Sequence, residues 1–214
     1  HDHHRVDKVV HGTRILKPGS DARYAVVLDI TWESAGSTEP LIHAETVKVS
    51  GWEKDKKLDV LMRKSYEAVD QMRKTQLTVV PKKFRPLTSV GARCSRVSCA
   101  TFLCSEVRDS LNLHCMKESP HCDCVLINGG NFRGERNYDD KEHITLEALY
   151  SELDEKVTIV VANVPGDVLK DGLRETWKAP GGSWMQYDDG VEVDDDGCIV
   201  KIDGRPIDAR RTRE

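Results

Sequence analysis

A short apolar run, Cys124-Val125-Leu126-Ile127, stops abruptly at Asn128-Gly129-Gly130. This stop constrains the fold more than any other feature of the chain. Four apolar residues between breakers read as a buried strand, and paired glycines end it. The flanks carry helices. Ser98 is placed to cap one with Cys99, Phe102, Leu103, Val107 and Leu111 on its apolar face, and Thr145 to cap another through Leu153. Residues 157–164 read as a second buried strand. Gly166 opens a further helix with Val168, Leu169, Leu173 and Trp177 on one side. Val191 and Val193 then alternate with acids, and Asp196-Gly197 leads into 198–202 as a hairpin. Strands and helices alternate, so the expected class of this half is mixed α/β.

The preceding half reads differently. Residues 5–33 are β-rich, with Pro18-Gly19-Ser20-Asp21 as a hairpin-like turn between two runs. Residues 34–40 read as a linker or exposed loop, and 45–49 as a short strand. Over 54–74, Leu58, Leu61, Met62, Tyr66, Val69 and Met72 recur at steps of three and four. That spacing predicts an amphipathic helix of about five turns with a solvated, charged face. Pro81 and Pro86 break the pattern and mark the start of a new domain. No internal repeat is present.

Composition excludes some classes of function. The 214 residues are enough for one large domain, or for one domain and part of another. A first residue of His1 instead of Met suggests a processed or excised piece, so no targeting inference follows. A formal net charge of −4 argues against a general nucleic-acid binder. No apolar run approaches the roughly 18 residues a membrane helix needs. Of the seven cysteines, six lie between Cys94 and Cys124 and none forms a CxxC pair, which disfavours structural zinc. They read as small apolar core residues, with one or two disulfides if the protein is exported. The compartment stays open.

Glycines after a buried strand permit positive φ and let backbone N–H groups approach a ligand. Arg133 offers a fixed fork of donors to a carboxylate, a phosphate or a sugar hydroxyl pair, and Asn128 supplies both donor and acceptor. The same residues also suit a tight turn with no ligand.

The run Val125-Leu126-Ile127-Asn128-Gly129-Gly130-Asn131-Phe132-Arg133-Gly134 resembles the NGG-x-[IF]-R signature of the 5′-nucleotidase C-terminal domain. Three further elements follow in the family's order: Ile144-Thr145 at a helix start, Gly166-Asp167-Val168-Leu169 after a strand, and Gly181-Gly182-Ser183-Trp184-Met185-Gln186. His1-Asp2-His3-His4 resembles the end of the GHDH motif that closes the family's metallophosphoesterase domain, and His11-Gly12-Thr13-Arg14-Ile15-Leu16-Lys17 resembles the hairpin after it. The resemblance implies a β-rich metallophosphoesterase tail over 1–33 and a connecting segment with a helix over 34–84. An incomplete, mixed-sheet substrate-binding domain would then occupy 85–214.

The resemblance also implies roles for individual residues. Asn128, Gly129, Gly130, Arg133 and Arg93 would bind the substrate, while His1 and His3 would each ligate one of two divalent metal ions in the full-length parent. The family's Asp-x-His, Gly-Asp and Gly-Asn-His-Asp/Glu motifs are absent after His1, so no residue of this chain is expected to be catalytic. This fragment is expected to hold no metal and to be inactive. Its expected partners are a nucleotide or related phosphoester and the N-terminal catalytic domain, with no nucleic-acid polymer and no membrane segment.

Several positions depart from the family. Asp154 and Glu155 stand where it has Pro-Phe, the Phe being one of two rings that sandwich the base; the second ring would lie beyond Glu214. Arg96 replaces an acid, while Ala100 and Asn131 replace glycines. These departures leave a second reading open, a non-catalytic binding or interaction module derived from the family. A third reading takes the cysteine cluster as a redox-regulated module.

Overall fold

The computed structural model describes residues 3–114, 121–138, 142–154, 156–178 and 184–207. The chain divides into two units, His1–Lys64 and Ser65–Glu214. It is mixed α/β, with short antiparallel ladders and four α-helices among the described residues.

In the first unit, β1 (Val6–Val10) pairs antiparallel with β2 (Thr13–Lys17), and β3 (Tyr24–Thr31) with β4 (Leu41–Lys48). Val10 sits opposite Thr13, so the first hairpin turns at His11-Gly12 and not at the expected Pro18-Gly19-Ser20-Asp21. Both turn residues are left-handed, with φ of 49° and 80°. Such a two-residue turn matches the twist of its strands. The Pro-Gly-Ser-Asp segment joins β2 to β3, which do not pair. Residues 34–40 close the second hairpin, whose returning strand begins at Leu41, earlier than expected. No described residue of this unit is buried.

Helix α1 (Lys56–Lys74) spans the division between the units. Asp55 starts it by accepting the amides of Lys57 and Leu58 at 2.9 and 3.0 Å. Its apolar residues Leu58, Leu61, Met62 and Tyr66 are exposed.

The second unit holds β5 (Gln76–Val79), α2 (Ser98–His114), β6 (Leu126–Asn128), β7 (His143–Thr145), α3 (Leu146–Glu152) and α4 (Gly166–Lys178). It ends with β8 (Met185–Tyr187), β9 (Val191–Val193), β10 (Ile199–Ile202) and β11 (Arg205–Pro206). β5 pairs with β7, β6 with β8, and β10 with both β9 and β11. Two cores form. Val80, Phe84, Phe102, Leu103, Ile127 and Phe132 pack in one; Leu173, Tyr187, Val191 and Ile199 pack in the other. A buried acid joins the elements. Asp188 accepts the amides of Val125 at 2.6 Å and Gly190 at 2.9 Å and pairs with Arg108, while desolvation raises its pKa.

Thr145 caps α3 as expected, accepting the Ala148 amide at 3.2 Å. Ser98 does not cap α2. Its hydroxyl donates to the Pro86 carbonyl at 2.7 Å and accepts the Thr88 amide at 3.0 Å, which fastens the incoming loop. Residues 157–164 form no strand, and Ile159, Val160, Val161 and Val164 are exposed. β propensity alone does not make a strand: a ladder partner must satisfy its backbone, and no described segment provides one here. Cys99, Cys104 and Cys198 are buried, and burial pushes the thiols of Cys99 and Cys104 well up. Burial raises Cys124 to about 12. Thiols held in that state are poor nucleophiles, which weighs against redox regulation through them. Cys115 lies outside the described residues.

Candidate functional site

Three loops converge where β6 ends. Asn128 terminates the strand, and its side-chain oxygen accepts the Gly130 amide at 2.7 Å, closing a short 3₁₀ turn over Gly129–Asn131. The Gly129 amide donates to the Trp184 carbonyl at 2.7 Å. Gly129 is buried, and a Cβ there would overlap the carbonyl oxygens of both Ala92 and Trp184. The glycine is therefore required by close backbone packing. Neither Gly129 nor Gly130 has positive φ, contrary to the conformational freedom expected of them. Their amides are satisfied inside the protein, which leaves ligand contact to side chains.

The Ala92 loop is fixed by Gln186, fully buried on β8. Its Nε2 donates to the carbonyls of Ala92 at 2.7 Å and Ser95 at 2.6 Å, and its Oε1 accepts the Val97 amide at 3.1 Å. Three hydrogen bonds from one buried amide hold the loop that carries Arg93 against the Gly129 turn. Arg93 is exposed, with no hydrogen bond or ion pair among the described residues.

Arg133 leaves the same turn. Its backbone amide donates to the Glu152 carbonyl at 2.8 Å, and its exposed guanidinium makes one long contact, 3.4 Å, to the Gly130 carbonyl. Two exposed guanidinium groups thus flank a rigid backbone junction, a chemistry suited to phosphate, carboxylate or vicinal hydroxyls. Asp154, exposed beyond α3, offers no ring for a base; Glu155 lies outside the described residues. Trp184 stacks on Trp177 with centroids 4.3 Å apart and planes 2° from parallel, which leaves no gap for a base between them.

Two residues of the junction escape a reading of the sequence. Gln186 shows there only as the end of a motif, and Glu152 only as one acid of a helix, although both are fully buried polar groups. Nothing in a local sequence window separates a buried Glu from the surface acids of a helix. A cleft of about 580 Å³ lies apart from this junction, lined by Leu126, Val161, Leu169, Ile202 and Arg205 among others. None of the expected substrate-binding residues lines it.

His3 is exposed, and His1 lies outside the described residues, as do Gly181, Gly182 and Ser183. Among the described residues no three His, Cys, Asp or Glu side chains group where they could hold a metal ion. The described residues do not by themselves make a two-metal centre, which needs a full ligand set around both ions. No described helix is long and apolar enough to cross a membrane.

No family model matches this chain, and neither does any curated protein. Among solved structures, a 5′-nucleotidase precursor from Thermus thermophilus is similar, with a TM-score of 0.54 at 17% identity. The match covers 88% of this chain and 38% of that one. The chain thus has a 5′-nucleotidase-like fold and spans well under half of that protein's length.

Proposed function

We propose that this chain is the substrate-recognition portion of a 5′-nucleotidase-like, metal-dependent phosphoesterase whose hydrolytic centre is completed by residues outside it. One observation carries the reading: the loop of Arg93, the turn of Asn128, Gly129 and Arg133, and the strand of Gln186 lock together into one junction. Such a junction holds two guanidinium groups on fixed backbone, as recognition of a phosphoester or its nucleoside requires. Arg133 and Arg93 grip the ligand, the Asn128 amide group adds a donor, and Gly129 and Gly130 let the loops close. His1 and His3 belong to the metal side of the parent, each toward one of two divalent ions that would activate water for attack on phosphorus.

The test is an assay of the full-length protein on nucleoside monophosphates and nucleotide sugars with Mn²⁺, Zn²⁺ or Mg²⁺. Hydrolysis is expected, with Arg133→Ala raising KM about tenfold and leaving kcat within about twofold. Unchanged KM would remove Arg133 from the site. A second reading, a binding module without catalysis, is favoured by Glu155 where the resembling family carries the Phe of its Pro-Phe pair, and by Ala100 and Asn131 in place of its glycines. Binding of the same nucleotides without turnover would select it.

A further inference from the structure

Glu152 closes α3 and is fully buried. A carboxylate so placed is costly unless donors surround it. They do. Ser89 Oγ donates to Oε1 at 2.7 Å, the Tyr138 hydroxyl donates to the same oxygen, and the Gly134 amide reaches Oε2 at 3.3 Å. The Glu152 main-chain carbonyl also accepts the Arg133 amide. A Cβ on Gly134 would overlap the carboxyl group, so the turn after Arg133 approaches as closely as a residue without a side chain allows.

Ser89 opens the turn that closes where the Ala92 amide donates to its carbonyl at 3.1 Å, directly before Arg93. One carboxylate therefore bonds the backbone beside Arg133 with one oxygen and the base of the Arg93 turn with the other. An apolar side chain could fill the same volume, but it would lose both of these bonds and leave the pairing of Ser89 with the Arg136 backbone, at 3.0 and 3.1 Å, to hold the two turns together alone. We propose that Glu152 is a positioning residue: it sets the Arg93 turn relative to the Arg133 turn, and so fixes the two guanidinium groups that a phosphoester or nucleoside meets. This rests on the reading that these arginines bind the substrate.

Two measurements on the 214-residue chain test it. The first needs no ligand. Tyr138→Phe removes one donor to Glu152, and amide NMR should show it shifting Arg133 and Gly134. The shifts should vanish when the same change is made in a Glu152→Leu background, where no side-chain oxygen remains to accept. Unmoved Arg133 and Gly134 amides, or shifts that persist without Glu152, overturn the proposal. The second measurement is calorimetric titration with AMP. Glu152→Gln should weaken binding about tenfold, the scale of one lost charged hydrogen bond. Arg133→Ala should then cost less in the Glu152→Gln chain than alone, because the guanidinium is already misplaced. Additive losses overturn the positioning role, since a general loss of stability leaves the two sites independent. A wild-type chain that does not bind AMP refutes the recognition reading instead, and the NMR result alone then decides Glu152. Should Glu152→Gln not fold, Tyr138→Phe carries both arms.

Discussion

The two units respond to the same problem, hiding apolar side chains, with opposite results. Ser65–Glu214 buries Phe102, Tyr187, Leu173 and Ile199 almost completely, whereas His1–Lys64 buries none of its described residues. Val27, Leu28, Ile30, Trp32, Leu41 and Ile42 all stand exposed on or beside the β3–β4 ladder. Local regularity is not the difference, because β3 and β4 form the longest ladder among the described residues. A two-stranded hairpin has no third layer to cover its faces and is marginal in water. The second unit wraps helices over its strands. Secondary structure and a buried core are thus separable, and among the described residues only the second unit has both.

The largest expected effect comes from separating the units. A chain of residues 65–214 should unfold in one cooperative transition by circular dichroism, whereas residues 1–64 should show none. A cooperative melt of the shorter piece would break the contrast. Single residues sharpen it next. Phe102→Ala removes a fully buried ring packed against Phe84 and should cost about 3–5 kcal/mol in a denaturant titration. Leu28→Ala, in the other unit, should stay within about 0.5 kcal/mol.

The smallest effect concerns pH. Each unit has an arginine–carboxylate pair: Arg14 with Asp7 at 2.9 Å and Arg136 with Glu147 at 3.0 Å. Hydrogen bonding from Arg136 holds Glu147 below its ordinary value of 4.5, and that from Arg14 holds Asp7 below 3.8. A carboxylate depressed in the folded state adds stability above its unfolded pKa and loses it as pH falls through the folded value. Glu147→Gln should therefore flatten the acid limb of the stability curve below about pH 4.5. Asp7→Asn should leave that limb unchanged, because its pair lies at the surface of a unit with no buried core among its described residues and solvent screens it. An equal flattening by both would show that the core makes no difference to such pairs.

The helices are legible from sequence, since apolar spacing at three and four residues records which face is covered. α1, α2, α3 and α4 fall close to their expected places. The Asn-Gly-Gly stop after β6 is legible for the same local reason. Turn and strand pairing are less so. His11-Gly12 takes the hairpin from Pro18-Gly19-Ser20-Asp21, and 157–164 stays unpaired, because a ladder depends on what lies beside a segment and not on the segment alone.

Read along the chain, the residues establish the class of fold, the place where the buried strand breaks, and that Arg133 follows closely on that break. What the residues there do emerges only on folding. Gly129 makes room for the Ala92 and Trp184 carbonyls, Gln186 holds the Arg93 loop, and Glu152 joins two turns that are distant in sequence. Periodicity is written along the chain, but the satisfaction of buried polar groups is settled only when distant segments meet.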